Sequence, residues 1–143
     1  EMCIRDRIEL TNRETMGFYQ GIPIGLMGTL EKSASFSEFC IGLEDKLNDK
    51  VKSYQFSNKP VTKIAMITGQ GQSGIPEAET AGFDTFITGE MNHYMYYVAK
   101  ELNLNIILAG HYRTETLGPI AIGEHLKSKF RVNYEFLEFP TGL

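Results

Sequence analysis

Several features that would assign this chain to a specialised class of protein are missing or scarce in its 143 residues. The sequence has no tryptophan, five prolines and only two cysteines, Cys3 and Cys40. Two cysteines are too few for a disulfide scaffold, and their spacing matches no metal-knuckle pattern. We therefore expect a reducing, cytoplasmic environment, in which structural disulfides are rare.

Long apolar runs and an excess of positive charge are also missing. No segment reaches the roughly 18 consecutive apolar residues that a membrane-spanning helix needs, and the first residues lack the apolar core of a secretory signal. The formal net charge is −4, whereas proteins that grip nucleic acid by its phosphates carry a basic face. We expect neither a membrane nor nucleic acid among the partners.

The residues that are present describe one ordinary globular domain or a piece of a larger one. Hydrophobic residues make up 42% of the chain and charged residues 22%, which is typical of a packed domain. We assign residues 22–143 to an α/β domain and leave residues 1–21 as an uncertain N-terminal segment. Because the first residue is not methionine, we expect the sequence to begin within a longer protein.

Apolar periodicity and turn residues predict the order of strands and helices. Residues 8–20 are ambiguous and predict a short helix or a connection. Strands are predicted at 22–30, 51–56, 63–68, 85–88, 105–109 and 132–139. Helices are predicted at 36–48, after a capping box of Ser35 and Glu38, and at 75–81, 93–102 and 114–130. Strands that alternate with helices predict the α/β class, with a mainly parallel sheet and flanking helices.

Ligands of an open α/β sheet bind at the carboxyl ends of its strands, and one such end carries a glycine-rich turn. The run at 69–74 has the pattern G-x-G-x-x-G between a strand and a helix, and Glu90 follows 21 residues after Gly69. This pattern is typical of dinucleotide binding, in which backbone amides hold the pyrophosphate and the acidic residue holds the ribose. The alternative is a tight turn that needs positive φ angles.

A second strand end carries His111, with Glu115 four residues later in the motif GHYRTE. On a helix these two side chains share one face, and an imidazole with a carboxylate is a mixed ligand set for zinc, manganese or iron. A helix-capping histidine beside a solvated glutamate is the simpler alternative. Arg113, between them, is a candidate for binding either a phosphate or a carboxylate of the protein itself.

The turn TGEMNH at 88–93 adds two candidates for proton transfer, Glu90 and His93. Either could face His111 across the crevice and hold its ring by a hydrogen bond, although Glu90 could equally stabilise the first turn of its helix. His125 lies between polar neighbours and is predicted at the surface. The tyrosines at 94, 96 and 97 are predicted to pack within the protein rather than to stack on a ligand, and an oligomer interface would also use them.

Five segments in one order give the chain its resemblance to a known family. They are IPIGLMGTLEKSASFSEF at 22–39, the GQGQSG turn, GFDTFITGEMNH at 82–93, NIILAGHYRTE at 105–115 and the closing FPTGL. Residues 22–143 thereby resemble the C-terminal half of the Nif-three-like family, the dinuclear-metal proteins often labelled GTP cyclohydrolase I type 2 homologues.

The resemblance implies a Nif-three-like fold, two divalent metal ions in each full-length subunit and a toroidal homohexamer. It makes His111 and Glu115 metal ligands, because they occupy the histidine and glutamate of the family's G-H-x-x-T-E motif. The remaining ligands, a histidine pair and an aspartate, belong to the family's N-terminal half, and this sequence has no adjacent histidines. The resemblance also implies that the glycine turn is structural.

The function that follows is metal-dependent hydrolysis of a small, anionic or nucleotide-like substrate, since two adjacent ions activate water and polarise a carbonyl or phosphoryl group. His111 and Glu115 would hold metal, and Glu90 or His93 would assist proton transfer. One alternative is a non-enzymatic metal-binding or regulatory hexamer. A further alternative is a dinucleotide-binding domain that uses the loop at 69–74.

Overall fold

A computed structural model describes residues 8–141 and has one mixed sheet of six strands with four helices. The strands are β1 Leu10–Tyr19, β2 Ile22–Ala34, β3 Lys52–Tyr54, β4 Val61–Ile67, β5 Thr85–Thr88 and β6 Asn105–Leu108. The helices are α1 Phe36–Leu47, α2 Ile75–Thr80, α3 His93–Glu101 and α4 His111–Phe130, with a 3-10 turn at Gln72–Gly74. The predicted α/β class is confirmed.

The predicted mainly parallel sheet is wrong. The strand order is β1-β2-β4-β5-β6-β3, and only the β4–β5 and β5–β6 pairs are parallel. The β1–β2 and β2–β4 pairs on one side, and the β6–β3 pair at the other edge, are antiparallel. The strand–helix alternation that predicts parallel pairing therefore holds only for the central three strands.

The helix or connection expected at 8–20 is a strand. β1 pairs with β2 as a hairpin, through a turn in which Gln20 and Gly21 both have positive φ, 51° and 79°. Hairpin turns of this kind match the natural twist of the paired strands. The β1 pairing shifts between Thr11 and Glu14, and this bulge disrupts the alternation by which a strand is recognised in sequence.

The predicted final strand at 132–139 is absent, and the segment runs back along α4 without regular structure. The Tyr134 hydroxyl donates a hydrogen bond to Glu124 at 2.8 Å, and the Phe139 amide donates one to the Tyr112 hydroxyl at 2.8 Å. Side-chain bonds to α4 thus take the place of strand pairing. We refer to residues 131–141 as the C-terminal tail.

The other predicted elements are found with shifts of a few residues at their ends. The capping box is confirmed: the Ser35 hydroxyl accepts from the Glu38 amide at 3.2 Å, and the Glu38 carboxylate accepts from the Ser35 amide at 3.0 Å. The shift that matters for the site concerns α4, which begins at His111 rather than at residue 114. His111 and Glu115 therefore both lie in its first two turns.

Two apolar clusters cover the two faces of the sheet. The first includes Phe36, Leu43 and Leu47 of α1 against strand residues, together with the buried free Cys40. The second joins Ile75 of α2 and Met95 of α3 to the other face. The strands are thus held between helices, and their carboxyl ends remain at the molecular surface.

None of the helices in residues 8–141 is long and apolar enough to cross a membrane. Cys3 lies outside the described residues.

Candidate functional site

The carboxyl ends of the three parallel strands each finish in a glycine, and these glycines lie side by side. Gly69 follows β4, Gly89 follows β5 and Gly110 follows β6 by two residues. The Gly89 amide donates to the Gly69 carbonyl at 2.9 Å, and the Gly110 amide donates to the Gly89 carbonyl at 3.0 Å. The ladder of the parallel sheet thus continues into the loops that carry the candidate side chains.

Two buried threonine hydroxyls fix these loops to one another. Thr88 donates to the Gly69 carbonyl at 3.1 Å and accepts from the Gly71 amide at 2.9 Å. Thr114 accepts from the Gly69 amide at 3.0 Å. Sequence reasoning missed both threonines, although Thr88 stands in the ending Ile-Thr-Gly, which occurs at 67–69 and again at 87–89, and Thr114 stands in GHYRTE between His111 and Glu115.

His111 lies between two carboxylates at the mouth of these loops. Its Nδ1 atom is 3.1 Å from Oε1 of Glu90, and its Nε2 atom is 3.3 Å from Oε2 of Glu115. The imidazole and Glu90 are each 36% exposed and Glu115 is 55% exposed, so the group is open to a ligand from solvent. Three of the four residues proposed from the sequence thus lie together.

The electrostatic balance of this group favours a positive charge on His111. The hydrogen bond to Glu90 is the largest effect and raises the pKa of His111 above its ordinary value, while burial acts in the opposite direction and the charge of Glu115 raises it further. Without a metal ion, both ring nitrogens can therefore donate to a carboxylate.

Gly69 makes room for this arrangement. Its φ is +60°, and a Cβ atom at this position would overlap Oε1 of Glu115 and lie 3.1 Å from Nε2 of His111. A side chain here would fill the space beside the imidazole. Gly69, which the sequence assigns to a turn or to pyrophosphate binding, thus lies against the His111 group.

His93, the fourth candidate, lies in a different part of the surface. It is exposed at the first position of α3, where its ring meets that of Tyr97 edge-on at a centroid distance of 5.3 Å. It lines a cavity of about 360 Å³, whereas Glu90 lines a neighbouring one of about 410 Å³. The structure brings Glu90, but not His93, against His111. His125 is exposed, as predicted.

Arg113 binds carboxylates of its own chain. Its Nε atom is 3.1 Å from Oδ2 of Asp49, and Nη1 is 3.3 Å from Oε1 of Glu138 in the C-terminal tail. The sequence leaves Arg113 to bind either a phosphate or a carboxylate of the protein, and in the structure it binds protein carboxylates. The arginine ties the tail and the end of α1 to the start of α4.

The glycine loop offers little to a pyrophosphate. The amides of Gly69 and Gly71 donate to the two threonine hydroxyls, and the Gly74 amide donates to the Gly71 carbonyl at 3.0 Å. These donors would have to be free to bind phosphate oxygens. The following helix has only six residues, and its Glu77 already accepts from the Gly17 amide.

The residues at His111 fit part of a metal shell. Among residues 8–141, no group of three or more histidine, cysteine, aspartate or glutamate side chains is arranged to hold an ion. The 3.3 Å between Nε2 of His111 and Oε2 of Glu115 suits two ligands of one ion with bond lengths of about 2.0–2.2 Å. Glu90 on Nδ1 is the kind of partner that orients a metal-binding histidine.

Comparison with known proteins gives consistent matches over nearly the whole chain. The model of the Duf34/NIF3 family (NGG1p interacting factor 3) matches residues 2–141. A GTP cyclohydrolase 1 type 2 homolog of Pyrococcus horikoshii is 40% identical over 137 residues, which are 95% of this chain and 54% of that protein. A homolog of the same name from Deinococcus radiodurans is 33% identical over 95% of this chain and 52% of its own length.

A solved structure agrees with the fold. The structure titled protein ybgI, of unknown function, superposes with a TM-score of 0.83 at 29% identity and covers 96% of this chain and 54% of its own. The chain thus spans about half the length of the relatives that it matches.

Proposed function

The chain belongs to the Duf34/NIF3 family, and from this premise we propose that it carries half of the site of a metal-dependent hydrolase. His111 and Glu115 are the ligands that it contributes to a divalent ion of zinc, manganese or iron. By resemblance to the family, the full-length subunit holds two such ions and assembles into a homohexamer. The relatives' name, GTP cyclohydrolase 1 type 2 homolog, makes GTP one substrate to assay.

One observation carries the metal assignment, namely the different partners of the two nitrogens of His111. Glu90 accepts from Nδ1 at 3.1 Å, and this bond favours the tautomer whose Nε2 lone pair is available as a ligand. That Nε2 atom faces the Glu115 carboxylate at 3.3 Å. An imidazole and a carboxylate side by side form a ligand pair suited to such ions.

The chemistry divides between the ion and the protein. When bound, the metal ions would lower the pKa of water and polarise the scissile group of the substrate. Glu90 is a positioning residue because its hydrogen bond sets the orientation of the His111 ring. His93, exposed beside the neighbouring cavity, is the candidate for proton transfer to a bound substrate.

Binding of Zn²⁺ and Mn²⁺ to the purified chain tests the metal assignment. We expect measurable binding by equilibrium dialysis and its loss in His111→Ala and Glu115→Gln. His125→Ala is the matched control, because it removes an exposed histidine of the same helix, and it should bind as the unaltered chain does. Binding that persists in His111→Ala would overturn the assignment.

Hydrolysis is tested separately on the metal-loaded chain and on a version extended to the length of its relatives. We expect metal-dependent release of product from GTP or another small anionic substrate, and we expect His111→Ala to abolish it. Metal binding without turnover of any substrate in the extended version would contradict the hydrolase and favour a non-enzymatic metal-binding protein.

A further inference from the structure

The cavity beside Glu90 and the cavity beside His93 adjoin one another. They have volumes of about 410 Å³ and 360 Å³ and share Lys52, Met91 and Leu108 as lining residues. Together they form a groove, which we call the Lys52 groove. Glu90 lines one part of it and His93 the other, so a ligand that fills the groove would touch both residues.

Lys52 lies at the middle of this groove because of the direction of β3. That strand is antiparallel to β6, and its first residue, Lys52, pairs with Leu108, the last residue of β6. The edge strand therefore brings a lysine to the end of the sheet from which His111 emerges. Had β3 been parallel to β6, its first residue would lie at the opposite end.

Among the cations that line the groove, Lys52 is the one that forms no ion pair with a carboxylate of residues 8–141. Its Nζ atom lies 5.5 Å from the centre of the Tyr54 ring. The other cations of the groove are paired: Lys50 with Glu44 at 2.6 Å, and Arg113 with Asp49 at 3.1 Å. The carboxylate of Glu90 is in turn paired with His111. Lys52 therefore offers its charge to a ligand at the centre of the groove without a competing ion pair from these residues.

Aromatic side chains line the part of the groove that contains His93. Tyr54 and Tyr96 meet edge-on with ring centres 5.1 Å apart, and Tyr96 and Tyr97 meet edge-on at 5.4 Å. His93 packs edge-on to Tyr97, which is 52% exposed. Exposed rings that are fixed by their neighbours offer a rigid surface for a flat ligand, since aromatic groups prefer edge-to-face and offset-stacked contacts.

We propose that the Lys52 groove binds a small anion that carries a planar aromatic or heteroaromatic ring, with Lys52 on the anionic group and Tyr97 and His93 on the ring. The proposal rests on the proposed function, because it takes this anion as the substrate whose reacting end lies near Glu90, the hydrogen-bond partner of His111. It names the substrate class that the site selects and makes Lys52 a binding residue.

Binding of three probes to the metal-free chain, followed by ¹H–¹⁵N NMR in the presence of EDTA, tests the proposal. Adenosine 5′-monophosphate carries both the anion and the ring, inorganic phosphate only the anion, and adenosine only the ring. We expect the monophosphate to bind most tightly and to shift the signals of Lys52, Met91 and Tyr97. Because a hydrogen bond to a charged group is among the stronger ones, Lys52→Met should weaken its binding by about tenfold.

Lys59→Met is the matched control. Lys59 does not line the Lys52 groove; it lines a separate cavity together with residues 82–84. This variant should leave binding of the monophosphate unchanged. Tyr97→Leu should weaken binding of the monophosphate and of adenosine but not of phosphate. Shifts outside the groove, or equal binding by Lys52→Met and the unaltered chain, would overturn the proposal.

The two proposals fail independently. The probes are titrated without metal, so loss of binding to the groove leaves the dialysis result for His111 and Glu115 as it was. Conversely, Zn²⁺ binding that persists in His111→Ala would overturn the metal assignment and leave binding of the monophosphate through Lys52 as it was.

Discussion

At the scale of single residues, Gly69 is the position at which backbone conformation and site chemistry meet. Its left-handed φ of +60° places the backbone against His111 and Glu115. The glycine pattern at 69–74 is visible in the sequence, but its neighbours are not. The pattern alone leaves both a tight turn and a nucleotide-binding loop open, whereas the structure brings Gly69 against the candidate metal ligands.

We predict that Gly69→Ala damages the site beyond its effect on the backbone. Left-handed backbone should cost alanine roughly 1–2 kcal/mol of unfolding free energy, and the added methyl would displace Glu115 from His111. Gly82→Ala is the control, because Gly82 has φ +76° and nothing within 4 Å of its Cβ position. Chemical denaturation should show similar losses for both, and dialysis should show loss of Zn²⁺ only for Gly69→Ala. Equal Zn²⁺ binding by the two variants would contradict the account.

A second prediction concerns the pH dependence of His111. Its raised pKa means that the folded chain binds this proton more tightly than the unfolded chain does. The stabilisation is present at acid pH and is lost as pH rises from about 6.5 through the pKa of His111. The unfolding free energy of the metal-free chain should therefore fall over that range.

The substitution Glu90→Gln should lower the pKa of His111 and flatten this fall, because it removes the hydrogen bond that is the largest cause of the shift. NMR titration of the histidine Hε1 signals measures the change directly. Glu79→Gln, an exposed glutamate of α2, is the control. An identical His111 titration in Glu90→Gln and the unaltered chain would show that the hydrogen bond is not formed.

At the scale of elements, local signals predict the order of α1 to α4 and of β2 to β6, and tertiary pairing decides what they miss. The strand β1 is not predicted from the sequence, because its bulge between Thr11 and Glu14 interrupts the alternation of side chains. The C-terminal tail is wrongly predicted as a strand for the opposite reason. Its side chains alternate as in a strand, but β1 and β3 form the two edges of the sheet and the tail pairs with neither. Antiparallel pairing of β3 likewise depends on contacts distant in sequence.

The same reasoning explains how much of the site the sequence predicts. Glu90, His111 and Glu115 follow strand ends in one parallel unit, so their proximity is predictable from topology. His93 follows the same turn as Glu90, but α3 begins there and directs it away to Tyr97. Lys52 carries no sequence signal, because only the register of β3 with β6 brings it to the site.

Two helix glycines should respond oppositely to alanine. Gly42 in α1 has nothing within 4 Å of its Cβ position, so Gly42→Ala should raise the unfolding free energy by up to about 1 kcal/mol. A Cβ atom added to Gly123 in α4 would overlap the ring of Tyr134. Gly123→Ala should therefore release the C-terminal tail, which hydrogen exchange would detect as lost protection at the Phe139 amide. A tail as protected in Gly123→Ala as in the unaltered chain would refute its packing on α4.

At the scale of the whole molecule, apolar side chains at the β1–β2 turn remain uncovered. Phe18, Tyr19 and Ile22 are 67%, 65% and 65% exposed, and β1 is an edge strand. Exposed apolar patches and free edges mark surfaces that bind other protein, and the proposed homohexamer supplies further copies of this chain.

We predict association that depends on concentration in sedimentation velocity experiments, and weaker association for Phe18→Asp, which puts a charge on the patch. Glu14→Asp, on the same strand, is the control and should associate as the unaltered chain does. Monomers at every concentration, or equal association of Phe18→Asp and the control, would count against an interface on this hairpin.

The location of a metal ion tests the central claim most directly. Crystals of the chain grown with Zn²⁺ should give an anomalous diffraction peak at the zinc absorption edge within bonding distance of Nε2 of His111 and the Glu115 carboxylate, with Glu90 still on Nδ1. Peaks only at His93, His125 or other positions, with His111 still between two carboxylates, would contradict the claim that this chain carries half of a metal centre.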